Sequence, residues 1–354
     1  MRLLRGALIG VGKIAQSGHL PAYDDERLRD RARIVAAVDP SVQSRRLATE
    51  RFPGLRFYEA LEGLLESESV DFVDICATPE THAGIVTRAV ERGLHVLCEK
   101  PIAPTLSDAD SIVRSAQSGD HSVVVMPCHQ YRYSPLWAEF KAFVDQLGTD
   151  EGCYIQFNVF RTEADPGLLG GDRLWRLDQK RGGGGILADT GVHYLYLCLW
   201  MLGLPRALTA RVQRIAIGLS GVEDTASVLL EYDRRAVQIT LTWCADRRAN
   251  SACIVSKRGS LFYDGKTLVK WCGEKREEIP VPDAADKRNY VLLYVSLIEE
   301  FIRKIHDGQG SESELREAHE SVRLLESCYQ SAAHGRTIEL TRYAQPAIAS
   351  EVNR

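Results

Sequence analysis

Three polar residues of the kinds that move protons sit in two separate stretches of this 354-residue chain. Lys100 closes a short apolar run, in Cys98-Glu99-Lys100-Pro101. Read by itself it is a surface lysine after a strand. Placed at the mouth of a ligand crevice, it would donate to a substrate hydroxyl and favour an alkoxide-like state. Asp189 and His193 stand four apart at the end of Gly182-Gly183-Gly184-Gly185-Ile186-Leu187-Ala188-Asp189-Thr190-Gly191-Val192-His193. Four consecutive glycines suit a loop that approaches a ligand closely. On a helix, Asp189 and His193 would project from one face. Histidine is the natural proton acceptor near neutral pH, and the carboxylate would orient it or bind substrate. The same spacing also fits a capping or surface pair. A metal would take His129 as third ligand, but no tight ligand cluster accompanies the pair, so no metal is expected.

A second stretch supplies something for these residues to act upon. Gly10-Val11-Gly12-Lys13-Ile14-Ala15 is a G-x-G-x-x-A turn between an apolar run and a helical stretch. That context makes it a dinucleotide-binding turn and not merely a tight bend. Gly10 permits the turn, Gly12 admits a pyrophosphate, and Lys13 and Ile14 open the helix whose amino end would face it. The next apolar run, Ile34 to Val38, ends at Asp39. A carboxylate there accepts from both ribose hydroxyls of NAD and repels a 2′-phosphate, so NAD is the expected cofactor. Arg45 and Arg46 keep NADP open.

These residues need a scaffold of alternating elements. Leu3–Ile9, Arg33–Val38, Val70–Ala77, Leu94–Cys98 and Val123–Met126 read as near-continuous apolar strands, as parallel strands covered on both faces do. Between them, Glu80–Arg92 carries its apolar residues on one side and stops at Gly93, and Ser107 reads as the cap of a helix over 108–117. After His129 the pattern changes. A helix at 134–147 precedes strands at 153–161, 208–217, 225–232, 237–243, 252–256, 260–263 and 267–271, with alternation suited to a mostly antiparallel sheet. Helices at 290–306 and 315–334 close the chain, and the tail beyond Thr341 is expected to fray.

Composition narrows the partners. The chain is 45% hydrophobic and 26% charged, enough apolar residues for a large core, and its formal charge of −4 argues against nucleic acid. Nine cysteines without a C-x-x-C pair indicate neither a disulfide framework nor a zinc knuckle, and reduced thiols fit a cytoplasmic protein. The longest apolar run, Tyr194–Leu204, is too short to span a bilayer.

Together these stretches resemble the Gfo/Idh/MocA oxidoreductases over nearly the whole chain, to about residue 340. The resemblance rests on the 10–15 turn, His19-Leu20-Pro21, Ala77-Thr78-Pro79 with His82, Glu99-Lys100-Pro101, Arg132 with Pro135, Trp175-Arg176, and the 183–193 segment. It implies a Rossmann domain with a parallel sheet over 1–129, an α+β domain with a large, mostly antiparallel, open-faced sheet over 130–340, and a tail at 341–354. It implies that Lys100, Asp189 and His193 are catalytic, with His193 as base. It implies that Thr78, Pro79, His82 and Glu99 join Gly10, Gly12, Lys13, Ile14, Asp39 and Lys100 at the cofactor. His129, Arg132, Trp175 and Arg176 are candidate substrate contacts with Asp189 and His193.

The implied reaction is NAD(P)-dependent hydride transfer at a secondary alcohol or ketone of a sugar, polyol or cyclitol, in a homodimer or homotetramer built through the second sheet. Two rivals are a redox-neutral enzyme with tightly bound NAD, glycosidase-like or otherwise, and a non-enzymatic sugar or NAD sensor. One departure stands out. Many members carry an acidic residue three positions after the histidine, where this chain has Tyr196.

Overall fold

The computed structural model describes residues 2–118, 123–167, 175–216, 221–282 and 289–340. The expected strand end at Ile217 and the tail from Thr341 lie outside these residues.

Six short strands form the first sheet: β1 Leu4–Ile9, β2 Ala32–Val38, β3 Arg56–Tyr58, β4 Phe72–Ile75, β5 His95–Cys98 and β6 Val125–Pro127. All pair in parallel, in the order β3-β2-β1-β4-β5-β6. Every residue of β4 is buried, which explains its unbroken apolar reading apart from Asp74. Strand order reverses between β1 and β4, and that switch opens a crevice beyond their carboxyl ends. The sequence reading missed β3, whose three residues are too few to show periodicity. The helix expected to begin after Ser107 spans Leu106–Ser118, two residues earlier. Its cap is Thr105, whose hydroxyl accepts from the Asp108 amide at 3.2 Å.

The second sheet has nine strands: β7 Cys153–Phe160, β8 Ala207–Gln213, β9 Thr225–Glu231, β10 Arg235–Thr242, β11 Ala249–Ser256, β12 Gly259–Tyr263, β13 Thr267–Cys272, β14 Lys275–Pro280 and β15 Ile338–Glu339. Their order is β14-β13-β12-β11-β7-β10-β9-β8-β15. All pairings are antiparallel except β7 with β10. In β10, Val237, Ile239 and Leu241 are buried, while the residues between them face outward. The polar β14, Lys-Arg-Glu-Glu-Ile-Pro, gave no apolar alternation to read. The inner face is filled by the helices Pro135–Leu147 and Val192–Leu202. Gln179–Leu202 is long and apolar enough to cross a membrane by length and composition. However, 72% of its most apolar window is buried inside the fold, as in a core helix.

The two closing helices return to the first sheet. Helix Tyr290–Asp307 packs Tyr294, Leu297, Ile298 and Phe301 against Leu4, Phe72 and Leu97. Helix Glu312–His334 gives Leu315, Ala318 and Val322 to the first sheet's core and Leu324, Leu325 and Cys328 to the second's. The first sheet therefore depends on residues some 200 positions away for one of its covering layers. Phe301 is fully buried with its ring edge-on to Phe72 at 5.6 Å. Phe301→Ala is expected to cost about 3–5 kcal/mol. It should lower the denaturation midpoint read by a probe on the first sheet. An unchanged midpoint would show that this helix is not part of that core.

Candidate active site

The turn after β1 is built for close backbone approach. Gly10 has φ +89°, and a Cβ there would lie 2.7 Å from the Ala77 nitrogen. At Gly12 a Cβ would meet nothing within 4 Å, so the space beside it is open. Gly12, Lys13 and Ile14 line the cavity at a helix start, where first-turn amides lack intrahelical acceptors. Asp39 holds the turn in place. Its Oδ2 accepts from the Val11 amide at 2.9 Å and its Oδ1 from the Ser41 amide at 2.8 Å. Each oxygen keeps a further lone pair, and Asp39 also lines the cavity. These features fit a dinucleotide with its pyrophosphate at Gly12 and its ribose hydroxyls at Asp39.

Below the crevice lies a buried charge cluster. His19, fully buried, places Nδ1 at 2.8 Å from Asp74 Oδ2 and Nε2 at 3.1 Å from Glu99 Oε1. Tyr23 donates to Asp74 at 3.0 Å, and Tyr294 donates to Glu99 at 2.6 Å. Burial opposes charge on His19, yet Asp74 lifts its pKa well above the usual histidine value. Burial also pushes Glu99 upward, and the His19 imidazole outweighs it to hold the carboxyl below its usual range. With Cys128 close by, His19 and Asp74 form a group compact enough for a metal ion among the described residues. Both ring nitrogens are already hydrogen-bonded, and burial keeps the Cys128 thiol protonated, so the group fits an ion pair better than a metal site.

Glu99 carries the next residue into place. Its Oε2 accepts from the Lys100 amide at 3.0 Å, and Lys100 Nζ donates to the Asp189 carbonyl oxygen at 2.9 Å. Asp189 lies on a widened helical turn, Leu187–Gly191, closed by a bond from the Val192 amide to the Leu187 carbonyl. Its carboxylate accepts from Arg176 Nε at 3.0 Å and from the Thr190 hydroxyl at 3.1 Å. Burial would raise Asp189, but Arg176 and Lys100 keep it below its usual value. No Asp189–His193 hydrogen bond forms. His193 Nδ1 instead meets the Tyr196 hydroxyl at 3.0 Å, and its ring stacks on Tyr131 at 4.3 Å. Burial, with Lys100, His129 and Arg161 adding to it, pushes His193 well below its usual pKa, which keeps the imidazole neutral.

The glycine run fits this arrangement closely. The Glu223 carboxylate accepts from the amides of Gly185 and Leu187, both at 3.0 Å, and from the Tyr329 hydroxyl at 2.8 Å. A Cβ on Gly185 would overlap the Glu223 carbonyl oxygen. Two ion pairs span the crevice: Lys13 to Asp165 at 2.7 Å and Arg181 to Glu80 at 2.8 Å.

One cavity of about 990 Å³ joins these parts. Of the residues expected at a cofactor or substrate, Gly10, Gly12, Lys13, Ile14, Asp39, Thr78, Pro79, Glu99, Lys100, Trp175, Arg176, Asp189 and His193 line it. Three do not. His82 is buried behind it, with ring nitrogens toward the carbonyls of Ala77, Pro101 and Ile102, so it joins two cavity-lining loops. His129 stacks on Tyr196 at 4.0 Å and bonds Glu317 at 3.2 Å. Arg132 reaches Glu317 at 3.4 Å and lies over the Trp200 ring. The sequence reading passed over Gln130, Trp243, Arg248 and Tyr290, which also line the cavity. Folding brings them from separate elements, and none stands in a motif. Gln130, next to the expected His129, is buried, and its Oε1 has no hydrogen-bond partner.

Residues 4–127 match the oxidoreductase family with an NAD-binding Rossmann fold, and residues 145–262 match the GFO/IDH/MocA C-terminal domain. A D-apiose dehydrogenase of Paraburkholderia graminis is 27% identical across 96% of this chain and 90% of its own. An inositol 2-dehydrogenase of Saccharopolyspora erythraea is 24% identical across 89% and 90%. Among solved structures, a levoglucosan dehydrogenase in complex with NADH and levoglucosan superposes with a TM-score of 0.83 at 18% identity. That match covers 96% of this chain and all of the other. An oxidoreductase from Agrobacterium radiobacter in complex with NAD+, L-tartaric acid and magnesium gives 0.82 at 22%, covering 95% and 98%.

The raised His19 value has a pH consequence with a definite sign. The imidazolium's stabilising contribution is complete below the free value of 6.5 and is lost as pH rises through the folded value. The gap in melting temperature between the wild type and His19→Gln should be widest at or below pH 6.5 and narrow as the buffer becomes alkaline. A gap that does not change with pH would mean that His19 is neutral in the fold.

Proposed function

The chain belongs to the Gfo/Idh/MocA family of NAD-binding oxidoreductases, and from that premise we propose that it oxidises a secondary alcohol of a sugar, polyol or cyclitol, or reduces the matching ketone. When bound, NAD supplies the acceptor for the hydride that leaves the alcohol carbon. The observation that carries this reading is the convergence of Lys100, Asp189 and His193 on the cavity that begins at the Gly10–Ile14 turn. Lys100 and His193 are the two groups able to hold or move the hydroxyl proton. Asp189 positions Lys100 through its carbonyl and Arg176 through its carboxylate. The sugar dehydrogenases among the relatives support the substrate class.

The rest of the lining supports a neutral polyhydroxylated substrate. Arg176 is paired with Asp189 and Arg181 with Glu80, so neither offers an uncommitted charge to a carboxylate or phosphate. Arg161 donates to the Phe160 carbonyl and to Asn250. Aromatic faces at Tyr131, Trp175 and Trp243 suit the C–H faces of a sugar, and the unpartnered Gln130 Oε1 suits a donating hydroxyl. NAD is favoured over NADP. Glu59 joins Asp39 among the lining residues, while Arg45 is turned to the Asp39 carbonyl and Arg88 pairs with Glu62. A homodimer or homotetramer is supported by the outer face of the second sheet, where Tyr154, Leu229, Val255, Phe262 and Trp271 are exposed.

Two measurements test these statements. A panel of inositols, aldoses, sugar acids and amino sugars, read by NADH absorbance with both cofactors, should give net turnover with at least one polyol or sugar. His193→Ala or Lys100→Ala should lower that turnover by roughly 10²–10⁴ while NAD binding persists. NAD that copurifies without net NADH formation on any substrate would favour the redox-neutral or sensor alternatives. For the assembly, Phe262→Glu combined with Trp271→Glu should shift the sedimentation coefficient to that of a monomer. An unchanged value would remove this face from the interface.

A further inference from the structure

His193 lies at the centre of the proposed chemistry, and its ring partner is a phenol where a carboxylate is the usual choice. We propose that Tyr196 fixes His193 as the tautomer protonated on Nε2. On this arrangement, which rests on the dehydrogenase reading above, His193 holds the substrate oxygen as a hydrogen-bond donor and Lys100 takes the hydroxyl proton. Tyr196 is a positioning residue.

Tyr196 is fully buried, and its hydroxyl oxygen has two polar neighbours, the Tyr131 amide at 3.1 Å and His193 Nδ1 at 3.0 Å. The Tyr131 amide can only donate. The single phenolic hydrogen therefore has one acceptor available, Nδ1. If Nδ1 carried the proton instead, the phenolic hydrogen would be buried without a partner, which is unfavourable. With Nδ1 accepting, the proton of the neutral ring resides on Nε2, on the edge away from Tyr196. His193 lines the cavity, and Nε2 has no hydrogen bond within the described residues. Stacking on Tyr131 and of His129 on Tyr196 restrains both rings from turning to exchange these roles.

A carboxylate in Tyr196's place would reverse the assignment. It can only accept, so it would hold the proton on Nδ1 and leave Nε2 as a base. Charged groups around His193 add no negative partner. Lys100, His129 and Arg161 all disfavour a second proton, the carboxylate of Asp189 is turned to Arg176, and Glu317 lies beyond His129. In the oxidation, Lys100 takes the O–H proton after its ammonium has released one to solvent. The C–H bond breaks with its electron pair going to the cofactor, and the C–O bond becomes a carbonyl that accepts from Nε2–H. In the reduction, each transfer reverses.

The test is the nitrogen NMR spectrum of protein labelled with ¹⁵N-histidine. His193→Asn identifies the resonances, and the spectrum is recorded near pH 7 without substrate, so the reading holds whether or not a sugar is found. The wild type should show His193 with a protonated Nε2 and an unprotonated Nδ1. Tyr196→Glu should move the proton to Nδ1. Tyr196→Phe should introduce a mixture of tautomers and lower kcat about tenfold with little change in KM for NAD. A wild-type spectrum with Nδ1 protonated, or an imidazolium, overturns the proposal even if the protein is an active dehydrogenase. So does a Tyr196→Phe protein with an unchanged tautomer and unchanged kcat. If Tyr196→Phe does not fold, the wild-type spectrum alone decides.

Discussion

His19 has no access to water, yet both of its ring nitrogens face carboxylates. Two charge-assisted contacts in a dry interior require a second ring proton, and the Asp74 carboxylate keeps it there against the burial. The three residues come from the helix after the cofactor turn, from β4 and from the end of β5. Tyr294, from the helix that covers this sheet, completes the set. Removing His19 leaves two buried carboxylates without their cation, and breaking such a buried pair typically costs about 3–5 kcal/mol. The cluster thus fixes where the turn sits relative to β5, and Glu99 passes that constraint to the Lys100 amide. Lys100 then reaches across to the second domain at the Asp189 carbonyl. The position of the proposed proton-transfer group relative to the cofactor turn follows from one buried imidazolium.

How much of this was legible in the sequence depends on the range of the interaction. The 10–15 turn, β2 with Asp39, and the Glu99-Lys100-Pro101 element were readable because each is a local pattern whose chemistry lies within a few residues. The His19-Leu20-Pro21 stretch was visible as part of a family pattern. Its reason was not, because Asp74 and Glu99 are 55 and 80 positions away. His129 and Arg132 are candidate substrate contacts in the sequence. They turn instead to Glu317, on a helix that arrives nearly 190 residues later. Gln130, between them, faces the cavity. In a short 3-10 turn, adjacent residues point in widely different directions, so a polar cluster in sequence does not become a polar cluster in space.

The two closing helices show the same limit at the scale of domains. Their apolar periodicity announced helices but not which sheet they would cover. Tyr290–Asp307 lies on the first sheet, and Glu312–His334 is shared between both cores. That sharing, with the Lys13–Asp165 and Arg181–Glu80 pairs across the crevice, ties the two halves at three places around the cavity. The surface ion pairs contribute little alone, about 0–1 kcal/mol each. The buried helix contributes through its packed area, which makes it the stronger of the restraints on cavity width.

The four-residue spacing of Asp189 and His193 suggests a pairing that the structure does not make, and the backbone explains why. In an α-helix, residues four apart are stacked on one face. Here the turn over Leu187–Gly191 is widened, with the Val192 amide reaching back five residues to Leu187. One extra residue in the turn rotates Asp189 away from His193 and toward Arg176. Beyond the widened turn the α-helix resumes, and His193 meets Tyr196 three residues on. The same device occurs at Ala15–His19, where the Leu20 amide bonds the Ala15 carbonyl and His19 is aimed inward at Asp74. Both histidines central to this site therefore follow or end a widened turn. A helix so wound costs some backbone regularity, and in each case the displaced side chain gains a buried partner that an unbroken α-helix would have denied it.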